Sequence, residues 1–260
     1  MNNKKLPKTN RAAQLLANNV AKLMTAKSYK DALRFRKKLH NYSFGNSFLI
    51  YCQMPNASII AGYRKWQELG RQVKKGERSL AIFAPLVRKD KETKEQEVFG
   101  FRSASVFDVS QTEGEPIPQT PQPKQLAGDS QQIQKTIKAL EAFAQKRANA
   151  VSYQALDVNG VYNLKNKTIT VNQDLPALQT LKTLIHELAH AILHPKISIP
   201  VHTAELEAES CAFLVCDSIG LDTSQYSFAY LAGWAKDPKD LLPAAERACK
   251  AAESILEVLQ

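Results

Sequence analysis

The chain has 260 residues, a length that fits one large domain or two domains of ordinary size. Hydrophobic residues make up 44% and charged residues 23%, a composition that excludes an intrinsically disordered chain. No apolar run approaches the roughly 20 residues that span a bilayer, and the polar N-terminus lacks the apolar core of a secretion signal. The four cysteines form no C-x-x-C pair. We therefore expect a protein of the reducing cytoplasm that has no membrane partner.

The net charge of +10 is unevenly distributed along the chain. Residues 1–110 contain 22 Lys and Arg against 8 Asp and Glu, whereas the remaining 150 residues contain 13 against 17. This asymmetry predicts a basic module joined to a mildly acidic one.

The N-terminal half combines helical and strand patterns. Apolar residues recur at helical spacing in 9–26 and 29–40, and 41–54 reads as a short buried helix that ends at Pro55. Two strand-like runs follow at 79–87 and 98–107, and the charged segment 88–97 between them predicts an exposed hairpin loop. An α+β domain is expected from this order.

Aromatic and cationic side chains alternate in 61–78, between the helical and strand-like parts of this half. Single-stranded nucleic acid requires cations for its phosphates and aromatic faces for its unstacked bases. The candidate DNA-binding residues are therefore Tyr63, Arg64, Lys65, Trp66, Arg71, Lys74 and Lys75. The alternative for Trp66 is burial as a core anchor, since tryptophan is usually buried. The cations of 34–38 form a second candidate surface, with a solvated helix face as the alternative.

A proline-rich segment with almost no apolar residues follows, at 111–123. Such a composition is typical of an extended linker, and it is the best domain boundary in the chain. The predicted organisation is an N-terminal domain at 1–110, a linker at 111–127 and a C-terminal domain at 128–260.

The C-terminal domain reads as mainly helical. A helix is expected over about 129–148, followed by a hairpin of 161–164 and 168–171 around Lys165-Asn166-Lys167. Further helices are expected at 181–194, 204–219, 226–235 and 238–259. The predicted fold is thus a helical domain with a small β-hairpin or sheet.

The most informative motif is H-E-x-x-H within the helix predicted at 181–194. His186 and His190 are four residues apart and therefore share one face of the helix, where both imidazoles can bind a single cation. Glu187 lies beside them and can act as general base on a metal-bound water. Pro195 ends the helix. His194 is interpreted as a helix-end histidine rather than as a ligand.

A catalytic zinc has three protein ligands and one open position. The next helix offers Glu205, Glu207 and Glu209, of which Glu205 and Glu209 share a face. We assign Glu205 as the third ligand and Glu209 as the acid that holds a ligand histidine by its outer nitrogen, with the reverse assignment left open. Glu207 points elsewhere and is interpreted as part of a solvated acidic face.

Two resemblances to known families follow from these motifs. The run from Leu184 to Ala191, with Glu205-Leu206-Glu207-Ala208-Glu209 downstream, resembles the zincin-like domain of the ImmA/IrrE metallopeptidases. The runs 41–46 and 61–77 resemble the ArdC-type N-terminal domain, which is associated with single-stranded DNA binding in antirestriction proteins of mobile genetic elements. Both occur in the order that ArdC-like proteins have.

The resemblance implies a single-stranded DNA-binding protein that carries a zinc metalloendopeptidase-like domain and takes part in antirestriction. The expected cofactor is Zn²⁺, with another divalent ion such as Mn²⁺ as the alternative. The expected partners are single-stranded DNA and an unidentified protein substrate, either a restriction enzyme or a repressor. Two alternative functions remain open: a protease that cleaves a transcriptional repressor, and a non-catalytic DNA-protecting protein with a structural metal site.

Overall fold

The structure is a computed structural model that describes residues 11–39, 41–89, 96–117, 130–147, 149–196, 199–221 and 238–259. The chain divides into two compact units. The first contains Met1–Leu23 and Phe35–Gln119, and the second contains Met24–Arg34 and Thr120–Gln260. Each unit combines helices with β-strands that pair in small sheets. The predicted α+β fold with two domains is confirmed.

The first unit contains most of the short elements of the chain. Its helical elements are α1 (Arg11–Asn19), a 3₁₀ turn (Val20–Met24), the end of α2 (Ala26–Lys38), α3 (Phe44–Gln53), α4 (Tyr63–Glu68) and a second 3₁₀ turn (Val109–Gln111). Its strands are β1 (Ile60–Ala61), β2 (Arg71–Val73), β3 (Leu80–Lys89), β4 (Gln96–Asp108) and β5 (Thr112–Gly114). The strand order is β1-β4-β3 in one antiparallel sheet, and β2 pairs with β5 in another.

The predicted hairpin of the N-terminal half is confirmed as β3 and β4. Both strands extend into the segment predicted as a loop, with Arg88 opposite Glu97 and Lys89 opposite Gln96. Residues 90–95 lie outside the described part of the chain. One face of this sheet packs on α2 and α3, where the buried residues are Phe35, Leu39, Ile50, Ala57, Ile60, Leu80, Ile82 and Val106.

Helix α3 also satisfies the backbone of strand β3. The Asn46 side chain accepts from the Phe83 N–H at 2.8 Å and donates to the Phe83 carbonyl at 2.9 Å. Gln53, two turns later, makes the same pair of bonds to Ala81 at 2.9 and 3.0 Å. These amides take the place of a neighbouring strand, so this edge of β3 is closed to further strand pairing.

The predicted linker began at residue 111, but the structure differs there. Thr112–Gly114 form β5, which pairs with Arg71–Val73 and belongs to the first unit. The preceding turn is held by Asp108, whose buried carboxylate accepts from the N–H groups of Ser58, Ile59 and Ser110. A buried carboxylate requires several hydrogen-bond donors. The three bonds to Asp108 therefore hold the turn that precedes β5 in place. The rest of the predicted linker, 118–127, lies outside the described residues.

The second unit contains the long helices α5 (Ser130–Lys146), α6 (Ala177–Leu193), α7 (Val201–Ser218) and α8 (Pro238–Leu256), together with the first part of α2. Its sheet has the order β6-β8-β7, with β6 at Ala150–Gln154, β7 at Gly160–Asn163 and β8 at Thr168–Asn172. The predicted hairpin is confirmed as the antiparallel pair β7 and β8. Strand β6, parallel to β8, was not predicted.

The helices of the second unit bury an apolar core that includes Leu181, Leu184, Ile185, Leu188, Phe213, Leu214, Leu241 and Ile255. Helices predicted at 181–194, 204–219 and 238–259 are confirmed, with α7 starting three residues earlier than expected. The helix predicted at 226–235 lies outside the described residues. Within the described part of the chain, no helix has the length and apolar character needed to cross a membrane.

Candidate metal centre

Helix α6 presents the H-E-x-x-H motif at the surface of the second unit. Its apolar side, formed by Leu181, Leu184 and Leu188, is buried, so the opposite side faces outward. The helix ends where the His194 N–H bonds to the His190 carbonyl at 2.9 Å, immediately before Pro195. This packing aims the two histidines of the motif toward helix α7.

The structure brings together the three side chains assigned as metal ligands. The Nε2 atoms of His186 and His190 lie 3.1 Å apart. The Glu205 carboxylate bridges them, with one oxygen 3.5 Å from His186 Nε2 and the other 3.4 Å from His190 Nε2. All three donor atoms fit within 4.8 Å of one another. Two imidazole nitrogens and one carboxylate are a donor set that suits a divalent transition metal.

Glu209 lies on the outer side of His186. Its carboxylate is 3.3 Å from His186 Nδ1, the nitrogen that points away from His190. Burial lowers the pKa of His186, but the contacts with Glu205 and Glu209 outweigh it and raise that pKa to about 10. In the absence of metal the imidazole is therefore protonated at neutral pH. A metal ion must displace this proton to bind.

Glu187, the predicted base, lies against strand β7. Burial raises its pKa above the ordinary value, while the nearby His186 and His190 and the Tyr162 backbone N–H act in the opposite direction. At Gly160 there is no room for a side chain, because a Cβ atom would lie 3.1 Å from Glu187 Cγ and closer still to Thr183. The glycine therefore lets β7 approach the helix and direct a backbone donor at the carboxylate.

A cleft of about 400 Å³ opens in front of these side chains. Its walls come from strand β7, helix α6 and helix α7, and the lining residues are Asn159, Gly160, Gln179, Lys182, Thr183, His186, Glu187 and Glu209. The cleft thus gives solvent and small groups access to the predicted base and to one of the predicted ligands.

A second layer of polar side chains lies behind His190. The Nδ1 atoms of His190 and His194 are 3.0 Å apart, and His194 Nε2 lies 3.1 Å from a Glu207 oxygen. Arg247 on α8 donates to the other Glu207 oxygen through Nε at 2.9 Å and through a terminal nitrogen. The interpretation of Glu207 as a solvated acid was wrong, because the residue is only 1% exposed. Arg247 gave no signal in the sequence, since it is 40 residues from its partner.

Two predicted DNA-binding residues have structural roles in the first unit. Trp66 is fully buried and donates from Nε1 to the Phe107 carbonyl at 3.0 Å, so no base can stack on it. Trp66 is therefore a core anchor, as the alternative interpretation of this residue predicted. The Arg71 guanidinium donates to the hydroxyl and carbonyl of Thr112 and to the carbonyls of Gly114 and Glu115. These bonds tie β2 to β5 and occupy the donors that a phosphate would need.

The other predicted DNA-binding residues are exposed. Tyr63 is 44% exposed. The centroid of its ring lies 6.4 Å from that of Phe107, in an edge-to-face arrangement. Lys65 pairs with Glu68 at 2.9 Å, and Lys74 donates to the Ser110 carbonyl at 3.0 Å. The remaining exposed members of the predicted set are Arg64 and Lys75.

Lys75 borders a broad groove of about 600 Å³ in the first unit. Arg11 and Arg78 lie along the same groove, which also contains Gln53 and the backbone of Gly76. Neither Arg11 nor Arg78 is among the DNA-binding residues predicted from the sequence. Arg11 is remote in the chain from the other two cations, and only the packing of α1 brings it to them.

Family comparisons divide the chain in the same order as the motifs do. Residues 13–109 match the N-terminal domain of anti-restriction factor ArdC. Residues 136–216, which include the H-E-x-x-H helix and most of α7, match the IrrE N-terminal-like domain of the M78 peptidase family. An uncharacterized protein of Bacillus anthracis is 28% identical over 256 residues, which cover 81% of this chain and 44% of that protein. The chain thus spans less than half of that relative.

The fold is also similar to two solved structures. They are crystal structures of the antirestriction protein ArdC from the R388 plasmid, one metal-free and one Mn(II)-bound. Both cover 84% of this chain with a TM-score of 0.54, at 23% and 22% sequence identity and over 85% and 88% of the solved chains. The chain thus contains a region that matches the ArdC N-terminal domain, followed by a region that matches the IrrE N-terminal-like domain, and its fold is similar to that of ArdC.

Proposed function

We propose that the second unit is a divalent-metal-dependent endopeptidase in which His186, His190 and Glu205 bind the metal and Glu187 is the general base. The observation that carries this proposal is the convergence of two Nε2 atoms 3.1 Å apart on a carboxylate that faces both of them. This donor set leaves a position open for water or substrate. Zn²⁺ is the proposed ion, and the Mn(II)-bound form of the similar ArdC structure supports a divalent metal in general.

The reaction proposed is hydrolysis of a peptide bond. A bound divalent ion supplies Lewis acidity to the site. The Glu187 carboxylate takes a proton from the attacking water and delivers it to the leaving amine. Because its pKa is raised, the carboxylate accepts a proton more readily than an exposed one would. The Tyr162 backbone N–H holds this carboxylate beside the cleft while it gains and loses the proton.

The substrate proposed is an extended segment of a protein. Strand β7 lies at the edge of its sheet, with β8 as its neighbour in the strand order, and it borders the cleft. An extended peptide can pair with an exposed strand edge through its main chain and place one peptide group in the adjoining cleft. The proposed protein substrate is a restriction enzyme, because its cleavage would produce antirestriction.

The first unit is proposed to bind single-stranded DNA in the cytoplasm. Arg11, Lys75 and Arg78 line one groove, and Tyr63 supplies an exposed aromatic face on the same unit. Such a combination of cations and an aromatic ring fits a flexible single strand, whose bases are free to stack. The four cysteines, all within the described residues, form no disulfide, which agrees with a reducing compartment.

The experiment that tests the peptidase proposal pairs metal analysis with a digestion assay on the full chain. The wild type is expected to purify with about one equivalent of divalent metal. His186→Ala should lose the metal, whereas Glu187→Gln should keep it and lack hydrolysis. His202→Ala is the matched control, because this exposed histidine lies on α7 outside the ligand group. A metal-free wild type that is folded and hydrolyses protein would refute the proposal.

A further inference from the structure

A chain of hydrogen-bonding groups connects His190 to the interior of the second unit. It runs from His190 Nδ1 to His194 Nδ1 at 3.0 Å, from His194 Nε2 to Glu207 at 3.1 Å, and from Glu207 to Arg247. His194 is 7% exposed and Glu207 1%, so the contact between these two residues is shielded from water. This series of hydrogen-bonding groups joins helices α6, α7 and α8.

The protonation pattern of this chain follows from its fixed end. Arg247 is always a donor, so it keeps Glu207 ionised and accepting. A neutral His194 that donates from Nε2 to Glu207 has its Nδ1 left as an acceptor. His190 then donates from Nδ1, and its Nε2 carries the lone pair that faces His186 and Glu205.

We propose that His194 and Glu207, anchored by Arg247, are positioning residues that fix His190 in the tautomer whose Nε2 lone pair faces the metal. This role of His194 and Glu207 behind the ligand His190 rests on the proposed metal centre. Glu209 makes the corresponding contact to His186 Nδ1 at 3.3 Å. Each histidine thus has its outer nitrogen in contact with a neighbouring side chain and its inner nitrogen directed at the proposed metal position, as ligand histidines generally do.

Substitution of Glu207 by glutamine reverses the chain without changing its shape. The amide oxygen of the Glu207→Gln variant turns to the Arg247 donors, and its NH₂ group then donates to His194 Nε2. His194 must carry its proton on Nδ1, and His190 must accept there and carry its own proton on Nε2. That proton occupies the lone pair that the metal requires. We expect metal affinity to fall by about 10- to 100-fold.

A second substitution, at Arg247, removes the cation that holds the glutamine amide in the reversed orientation. In the double variant Glu207→Gln with Arg247→Leu, no cation fixes the amide oxygen, so the oxygen can turn back to His194. Metal affinity should recover part of the loss. If Glu207 acted only through packing, the second substitution would remove another buried contact, and affinity would fall further. The direction of this change therefore separates positioning from simple structural support.

The measurements use the full chain and Zn²⁺ or Mn²⁺ alone, with affinity determined by competition against a chromophoric chelator. Imidazole ¹⁵N shifts of the metal-free protein report the tautomers directly: the wild type should show His194 protonated on Nε2 and His190 on Nδ1. Ser210→Ala is the structural control, because this buried α7 residue contacts Tyr29 and not the histidines. Its metal affinity should match that of the wild type.

Two results would overturn the inference. One is a wild-type His194 protonated on Nδ1, and the other is a Glu207→Gln variant with wild-type metal affinity. A wild type that binds no metal at all would instead refute the proposed metal centre. Because the NMR tautomers are read without metal, the two failures are distinguishable.

Discussion

The hydroxyl groups of Tyr29 and Ser210 lie 3.0 Å apart and are fully buried, although 181 residues separate them in the chain. Burial raises the pKa of the Tyr29 phenol. A further residue of the same part of α2 contacts helix α7: Arg34 pairs with Asp217 at 3.0 Å and lies over the Phe213 ring. The first half of α2 is therefore part of the second unit, and the proposed peptidase domain includes more than 128–260.

A fragment of residues 128–260 should be much less stable than the second unit within the whole chain. Without α2 it exposes Phe213, which is fully buried in the complete chain, and leaves the Ser210 hydroxyl without its partner. Urea denaturation should show an early or non-cooperative transition for the fragment. Fusion of residues 24–39 to it should restore a cooperative one. Equal midpoints with and without these residues would contradict the structure.

Within the full chain, Tyr29→Phe tests the same contact without a change in packing. Loss of the buried hydrogen bond should cost about 1–3 kcal/mol of the free energy of unfolding of the second unit. Tyr42→Phe is a matched control, because the Tyr42 hydroxyl donates to the Ile60 carbonyl at 3.1 Å in the first unit. Hydrogen exchange should assign the two losses to different units.

Metal binding should release a proton. The pKa of His186 is about 10 in the metal-free protein, so its imidazole is charged at pH 7 and must become neutral to bind metal. Apparent affinity should rise by about tenfold per pH unit until the pH approaches that pKa. Titration calorimetry in buffers with different protonation enthalpies would measure about one proton released per ion. Binding without proton release would contradict the assigned pKa shift.

The same shift predicts how the stability of the metal-free protein depends on pH. The folded-state pKa of His186 lies above the ordinary 6.5, so the contacts of the charged ring stabilise the fold. This contribution is complete below pH 6.5 and is lost as the pH rises toward about 10. Urea midpoints with chelator present should fall over this window, and less steeply in His186→Ala than in the wild type.

DNA binding should depend on the cations of the groove. The double variant Lys75→Ala with Arg78→Ala should weaken binding of all single strands alike and reduce the salt slope by about 0.7 per lost phosphate contact. Tyr63→Ala should cost about 1–3 kcal/mol with little change in slope if the ring stacks on a base. Fluorescence anisotropy over a salt series measures both. Unchanged affinity and slope in the double variant would place the DNA elsewhere, first at residues 34–38.

Trp66 and Arg71 should behave differently from these residues. Trp66→Ala removes a buried ring and should destabilise the first unit by about 3–5 kcal/mol. Arg71→Ala removes the bonds that tie β2 to β5 and should also lower the melting temperature. Loss of DNA binding should therefore accompany loss of fold in both variants. A fully stable Arg71→Ala that binds DNA weakly would instead make Arg71 a phosphate contact.

The close approach of β7 to α6 can be tested at Gly160. In Gly160→Ala the new Cβ would lie 2.5 Å from Thr183 Cγ2 and 3.2 Å from a Glu187 oxygen, so the strand must move away from the base. We expect a stability loss of about 1–3 kcal/mol and reduced hydrolysis. The double variant with Thr183→Ser removes the nearest methyl group and should recover much of the stability. If the single variant is as stable as the wild type, the approach is looser than described.

Local patterns carried most of the predictions that the structure confirms. The H-E-x-x-H helix and both hairpins depend on residues that are neighbours in the chain, so their apolar spacing and turn signals were sufficient. Strand β6 was not predicted, because it pairs in parallel with β8, 18 residues away, and no turn signal in the sequence marks such a pairing. Its short Ala150–Gln154 run carries no strong alternation of its own.

The sequence by itself determined the spacing that places His186 and His190 on one face of a helix with Glu187 beside them, because helix periodicity is a local property. Only the tertiary structure decided which acid faces the two inner nitrogens and which faces the outer one, since this depends on how α7 packs on α6. It also decided that Glu207 is buried against Arg247 and that Arg71 binds backbone carbonyls. A charged side chain has the same sequence signature in solvent and in an ion pair. Its environment is set by residues that lie far along the chain.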